Sequence, residues 1–397
     1  MAKRILIYTN HFYPEQFKIN EIVEWLSNEN THIRVITGLP NYPSGNLMKN
    51  YKNIYKSNVT INRLLLIPRG GGSTLMLAIN YLTYFISCFF FTIYIAIFKK
   101  KYDVIFVHHT SPFFISIHPI VYSLFNKSKK IIWDLDIWPE SLKAVNIIKS
   151  PFLFSTIKSF VKLIYSKYNI ILVGSRPLVN VVKNRFNGRV IYFPNWADKI
   201  IEDNKIEDKD LLSINTEKFN IVYTGNIGKA QDFESLLKTI GDVQENIHWT
   251  FIGDGRFKSK FKRLTEINSL TTKVTFVNQV NINLIPNIVN KADALFLSLK
   301  SDEIFSKTVP AKLQVYMALG KPIIGMLNGE GAKIINEADC GIVEENYNYE
   351  ELAKKINSFA SKTKPELIIK GDNGKNYYFK HFSSLIRKKE ILNLINE

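Results

Sequence analysis

Thirteen short apolar runs, each parted from the next by a segment often long enough for a helix, constrain the fold of this chain more than any other feature. Seven of them, at 5–8, 33–37, 60–67, 104–108, 131–134, 170–173 and 190–193, are dominated by Ile, Val and Leu. Near-continuous apolar runs mark strands buried on both faces, and strands alternating with helices build a parallel sheet with helices on each side. The rhythm restarts at 220–224 and continues through 248–252, 274–277, 294–298, 322–325 and 341–343. The predicted fold class is α/β: two doubly wound, Rossmann-like parallel-sheet domains facing a cleft. A length of 397 residues agrees, since one hydrophobic core rarely organises so many.

The boundary is expected near residue 200. Residues 198–215 are charged and poor in aromatics, as an exposed inter-domain connection is. This gives an N-terminal domain over 1–199, a C-terminal domain over 200–374, and a tail, 375–397, that reads as one helix with Tyr377, Tyr378, Phe382, Ile386 and Leu394 on a common face.

The formal charge of +17, from 52 Lys and Arg against 35 Asp and Glu, suits phosphate-bearing ligands, an anionic membrane or nucleic acid. Lys, Ile and Asn are all abundant, however, as a codon bias would make them, so charge alone selects no partner. The two cysteines, Cys88 and Cys340, stand far apart without a Cys-x-x-Cys pair, which excludes a disulfide framework and a structural zinc site. Lys3-Arg4 passes straight into the first strand without the apolar stretch of a signal peptide, so a cytoplasmic location is expected.

Residues 70–98 contain no Asp, Glu, Lys or Arg, and as a helix 75–98 would run about 36 Å, enough to cross a bilayer. One crossing would put the flanking strands, 60–67 and 104–108, on opposite sides of the membrane. A helix with one face on the sheet and the other on lipid resolves the conflict, with Lys99, Lys100 and Lys101 near anionic head groups. A fully buried core helix and a true anchor are the alternatives. The next helical segment, 152–167, interleaves Phe152, Phe154, Phe160, Leu163 and Ile164 with Lys158, Lys162 and Lys167, a second lipid-facing candidate or an ordinary amphipathic surface.

Candidate chemistry gathers just past strand ends, where open α/β sheets bind ligands. In the second half, the turn 223–231 holds Gly225, Gly228 and Lys229 before a helical pattern, so backbone N–H groups and a cation can face a phosphate. It is not a Walker loop: Ala230 stands where Ser or Thr would hold magnesium. Gly253-Asp254-Gly255 and the helix-starting turn with Lys312 lie at corresponding ends. In the first half, Trp133, Asp134, Asp136, Trp138 and Glu140 combine indoles that stack on sugar rings with carboxylates that accept hydroxyl protons. Asp134 and Asp136 also spell a metal-binding pair, but residues i and i+2 of an extended segment point apart, assigning Asp134 to the strand and Asp136 to the cleft. After the first strand, the segment 10–15 lacks the Gly-x-Gly-x-x-Gly of a nicotinamide or flavin enzyme and offers His11 and Glu15 to an acceptor hydroxyl. His108 and His109 end another strand, and 70–72 reads as a flexible glycine loop.

Seven blocks in order, His11–Glu15, Gly38–Gly45, Thr110–Pro112, Asp136–Ser141, Pro194–Asp198, Gly225–Gln231 and Pro310–Lys312, resemble glycosyltransferase family 4 over nearly the whole chain. The pattern is most similar to the L-fucosamine transferase-like enzymes of O-antigen and capsule synthesis. The resemblance implies a GT-B fold, retention of anomeric configuration, no metal or other cofactor, and a UDP-sugar held by the C-terminal domain. On this reading the candidate catalytic residues are Asp136, Glu140 and His11, and donor contacts are expected from Gly225, Asn226, Gly228, Lys229, Gly253, Asp254, Gly255 and Lys312. Tyr13, Glu15, Asn41, Tyr42, Ser111 and Trp138 face the acceptor, a polyprenyl-diphosphate-linked saccharide met at the inner face of the plasma membrane, and nucleic acid is not a partner.

The chain departs from the family where an arginine is usual and Asn226 stands, near Gln231 where a lysine is usual, and at Val315, which takes the second position of a paired-glutamate motif. Asp302 and Glu303 are candidate replacements, with Glu303 assigned to the donor. Asp232 stands in place of a common glycine. Two other classes fit the same architecture. A UDP-sugar epimerase would need no acceptor, and an idle membrane-binding partner of an assembly would tolerate the loss at Val315.

Overall fold

The computed structural model describes residues 2–71, 73–144, 146–204 and 217–397. Residues 205–216 of the expected connection and Gly72 of the glycine loop lie outside them. Every predicted run falls on a strand. Strands β1 (Lys3–Thr9), β2 (Thr31–Gly38), β3 (Val59–Leu64), β4 (Val104–His109), β5 (Lys129–Asp134), β6 (Ile170–Val173) and β7 (Arg189–Tyr192) form one sheet in the order β3-β2-β1-β4-β5-β6-β7. Strands β8 (Phe219–Thr224), β9 (Ile247–Ile252), β10 (Val274–Val277), β11 (Ala294–Ser298), β12 (Ile323–Met326) and β13 (Gly341–Glu344) form a second, in the order β10-β9-β8-β11-β12-β13. Every pairing in both sheets is parallel.

The chain divides into two compact units, Met1–Phe193 with Lys388–Glu397, and Pro194–Arg387. In each sheet the strand order reverses beside the first strand, between β1 and β4 and between β8 and β11. Loops leaving those neighbouring strands diverge and open a crevice, so the ends of β1, β4, β8 and β11 are where ligands are expected. The core of the second unit is aromatic: Phe233 stacks on Phe261 with centroids 5.0 Å apart, and Trp249 meets Phe296 edge-on at 5.1 Å.

Strand β3 ends at Leu64, three residues short of the apolar run, because the next backbone groups bond to side chains of the helix Thr74–Phe98. Ser87 donates to Leu65 O at 2.8 Å, Thr83 Oγ1 accepts from Ile67 N at 3.1 Å, and Asn80 donates to Ile67 O at 2.6 Å. On its inner stripe Asn80, Tyr84, Cys88, Thr92 and Ile95 are buried, with Tyr84 donating to Thr9 O at 2.9 Å and Thr92 Oγ1 meeting Tyr8 Oη at 3.1 Å. On the opposite side Leu75, Leu82, Ile86, Phe90, Ile97 and Phe98 are exposed. The helix is therefore not a core element on all sides.

The tail is two helices rather than one, Lys364–His381 and Ser384–Asn396. The break has a polar cause. Glu202 accepts from Tyr378 Oη at 2.6 Å and from Ser384 N at 2.7 Å, and also takes the Ser384 hydroxyl, so it satisfies the first free N–H of a new helix. The last residues pack in the first unit, where Lys3 donates to Ile395 O at 2.5 Å and Lys129 to Leu394 O at 2.8 Å.

Candidate active site

In the second unit, the chain leaves β8 at Gly225 with φ +119°, and a Cβ there would meet Lys312 Cε at 2.7 Å. The turn after β9 packs on this one. A Cβ on Gly253, φ +143°, would lie 2.0 Å from Gly225 O, and one on Gly255 would lie 2.3 Å from Ile227 O. Backbone approach this close admits only glycine. Gly225 N donates to Ile252 O and Ile227 N to Asp254 O, each at 2.8 Å, so the turns holding Gly225, Asn226, Gly228, Gly253, Asp254 and Gly255 form one body.

Lys312, near the start of the helix Ala311–Ala318, lies against that body with its ammonium 4.7 Å from the centroid of the Tyr223 ring. It makes no ion pair or hydrogen bond among the described residues, and burial lowers its pKa to about 8. A desolvated cation without a counter-ion among the described residues is what an incoming phosphate completes. Tyr316, one turn on, accepts from Thr224 N at 3.0 Å and ties this helix to the end of β8.

Lys229 is exposed and lines a cavity of about 320 Å3 with Asp232, Glu234, Lys260 and Lys300. Gln231, where a lysine was expected, accepts from Gly228 N at 3.1 Å and closes the turn. Asp232 has φ +52°, a left-handed conformation that glycine adopts without strain, and its carboxylate accepts from Tyr349 Oη at 2.8 Å. Asp302 caps the helix Glu303–Ser306, accepting from Ile304 N at 2.8 Å, and Glu303 pairs with Lys307 at 2.7 Å. Both carboxylates of the proposed replacement pair are thus already engaged.

Lys258 escaped sequence reasoning. Its buried ammonium donates to Gly253 O at 2.7 Å, Asn278 Oδ1 at 2.9 Å and Val277 O at 3.1 Å, tying the turn after β9 to the end of β10. Nothing in the sequence separates it from Lys260 and Lys262, two and four residues on.

In the first unit, the loop after β1 curls so that Glu15 is buried. Its Oε1 accepts from Asn41 N at 3.0 Å and Tyr42 N at 2.7 Å, while Oε2 meets His11 Nδ1 at 3.1 Å. Burial raises the pKa of the Glu15 carboxyl, but His11 and the two backbone N–H groups outweigh it and hold the pKa below its usual range. An ionised Glu15 fixes the proton of His11 on Nδ1, so Nε2 accepts from Arg69 Nη2, 3.3 Å away. Four expected residues, His11, Glu15, Asn41 and Tyr42, therefore meet in one cluster, joined by Arg69. Its only sequence signal is that it borders the charge-free stretch. Tyr13 turns instead toward Tyr51 and Tyr55, edge-on to both.

At the ends of β4 and β5, Asp136 Oδ2 accepts from Ser111 N at 2.9 Å, Oδ1 has no hydrogen bond among the described residues, and Trp138 Nε1 donates to Ser111 Oγ at 2.9 Å. Glu140 is bonded by buried Arg185, which also donates to Trp138 O at 2.9 Å. Asp134 is fully buried between His109 Nδ1, at 2.7 Å, and the Tyr165 hydroxyl, as the i, i+2 rule assigned it. Trp133 corrects the expectation of a sugar platform: its indole is wholly buried and its Nε1 donates to Phe193 O at 3.2 Å. His108 is structural too. Thr9 Oγ1 donates to His11 O at 2.7 Å and must accept from His108 Nδ1 at 3.0 Å, while burial, reinforced by His11 and His109, lowers the His108 pKa to about 3.

Residues 204–377 match the family model of glycosyl transferases group 1. Over 337 residues the chain is 23% identical to the putative colanic acid biosynthesis glycosyl transferase WcaI of Escherichia coli (strain K12), covering 80% of this chain and 81% of that one. Among solved structures, sucrose-phosphate synthase from Thermosynechococcus elongatus superposes with a TM-score of 0.73 at 14% identity, over 100% of this chain and 98% of that one. HepE of Anabaena, in complex with UDP and glucose, gives 0.68 at 12% identity over 100% of both chains. The family match falls on the unit that carries Lys312 and the glycine turns: residues 204–377 form a glycosyl transferases group 1 domain, and the chain is a glycosyltransferase of class EC 2.4 with the GT-B fold.

Proposed function

We propose that the chain moves an N-acetylated amino sugar, with retention of configuration, from UDP to a polyprenyl-diphosphate-linked saccharide in O-antigen or capsule synthesis, in the manner of L-fucosamine transferase-like enzymes. Lys312 carries the reading: a half-buried cation with no carboxylate partner among the described residues, against the Gly225 turn, is suited to a leaving diphosphate. The UDP in the HepE complex and the colanic acid role in the name of the Escherichia coli relative support it. Asp136 orients the acceptor hydroxyl through its uncommitted Oδ1. His11 supports the loop, since both its nitrogens are engaged, and Glu140 is held by Arg185. The test is a screen of UDP-sugars against lipid-linked acceptors. Transfer by the wild type, reduced about 100-fold or more in Asp136→Asn, supports the reading. Release of free sugar epimer without acceptor would overturn it.

Lysines and backbone dipoles supply the charge for the diphosphate, and Asp134 is committed to His109 and Tyr165. Turnover should therefore survive EDTA. Loss on chelation, restored by manganese, would assign a metal to Asp134 and Asp136 instead.

The enzyme works at the cytoplasmic face of the membrane as a peripheral protein, through the exposed stripe of the 74–98 helix and the Phe152, Leu163, Lys158 and Lys162 surface of the helix Pro151–Tyr165. Phe114 links the two helices, 6.2 Å from Phe85 and 6.4 Å from Phe160 between ring centroids. Sedimentation with anionic liposomes should show binding that salt weakens and does not abolish, because screening over about 8–10 Å affects the lysines and not the apolar contact. Leu82→Ser with Phe90→Ser, 58% and 67% exposed, should reduce the salt-resistant fraction without changing the melting temperature. Undiminished binding would remove this face from the membrane.

A further inference from the structure

Arg69 enters the 74–98 helix from the loop before it, and its side chain is 9% exposed. Nε donates to Asn41 Oδ1 at 3.1 Å, Nη2 donates to His11, and the guanidinium carbon lies 5.3 Å from the Tyr42 ring centroid and 5.7 Å from that of Tyr81. None of these partners is an anion. Glu15, behind His11, has one oxygen filled by two backbone N–H groups and the other by His11 and Phe12 N. Arg69 therefore makes no ion pair, and its Nη1 no hydrogen bond, among the described residues.

Holding a cation this far out of water without a counter-ion is unfavourable, and a guanidinium fork already fixed at Nε and walled by two rings is preorganised for a two-oxygen anion. The surroundings indicate which anion. Leu75, Leu82 and Ile86 begin an exposed apolar stripe on the helix that starts five residues beyond Arg69. A phosphate joined to a hydrocarbon chain matches both features at once.

We propose that Arg69, aligned by Asn41 and His11, is an oxyanion site in the first unit that takes a phosphate of the lipid-linked acceptor. The assignment rests on the acceptor class given above. A phosphate on Arg69 could equally come from a nucleotide, so the test uses both sources on the full chain. Binding of farnesyl phosphate, farnesol and UDP is titrated by isothermal calorimetry in detergent for wild type, Arg69→Lys and Arg69→Met, beside thermal melting. The wild type should bind farnesyl phosphate at least about ten-fold more tightly than farnesol. Arg69→Met should lose that preference, Arg69→Lys should keep part of it, and UDP affinity should not change.

Equal binding of farnesyl phosphate and farnesol by the wild type would overturn the proposal, as would a folded Arg69→Met that keeps the preference or loses UDP binding. If Arg69→Met does not fold, an Arg69→Lys variant with the full wild-type preference overturns it, and one with a reduced preference supports it. Sugar transfer is scored separately. A wild type that shows the phosphate preference and transfers no sugar would keep the oxyanion site and overturn the transferase substrate reading.

Discussion

Lys312→Ala should lower kcat/KM for the donor by about 30- to 900-fold, the equivalent of about 2–4 kcal/mol of transition-state stabilisation. The side chain packs against Tyr223 and Gly225 and makes no ion pair or hydrogen bond among the described residues, so the variant should stay folded. Both KM and kcat should move, because the ammonium binds the ground-state diphosphate and also stabilises the charge that develops as the sugar leaves. The free enzyme should add a pH signature. With the Lys312 pKa lowered to about 8 by burial, the cation is lost as pH rises through that value, and UDP binding should weaken above about pH 8. Titrations at pH 7 and 9 should show this fall in the wild type and not in Lys312→Met. Unchanged kinetics in the alanine variant would remove Lys312 from the site.

Gly253→Ala should destabilise the second unit by roughly 2–5 kcal/mol, combining a φ that L-residues avoid with overpacking against backbone. The clash is with Gly225 O, 2.0 Å from the added carbon, so the Gly225 turn must shift and donor binding should fall with stability. Gly241→Ala is the matched control. It lies in the helix Phe233–Asp242, its added carbon meets nothing nearer than 3.9 Å, and alanine there should stabilise by about 0.5–1 kcal/mol. Urea unfolding with UDP titration separates them. A Gly253→Ala protein as stable as its parent would mean that the two turns do not constrain each other.

The strands were legible because burial on both faces is written locally, as runs such as Ile-Ile-Leu-Val at 170–173. The glycine turns were legible for a related reason, since Gly225, Gly253 and Gly255 are required by backbone approach. What escaped depends on partners distant in sequence. Arg69 is defined by His11 and Asn41, Lys258 by Val277 and Asn278, and the break in the tail by Glu202, more than 180 residues before it. Trp133 and Trp138 look alike in sequence, yet one ends inside the sheet and the other at its rim, a distinction that strand register decides.

The assignment of residues 388–397 to the first unit has a practical corollary for dissecting the enzyme. A fragment ending at Phe193 would lack the segment whose Ile395 and Leu394 carbonyls satisfy Lys3 and Lys129, and whose Glu397 pairs with Arg189. It would leave three cations without partners and β7 without its neighbour's charge. Cutting once between the units cannot yield two intact halves, because the peptide chain passes from one to the other twice. A permuted gene that places residues 388–397 ahead of residues 2–193 would encode the complete first unit as one uninterrupted polypeptide, ready for measuring acceptor and lipid binding apart from the donor.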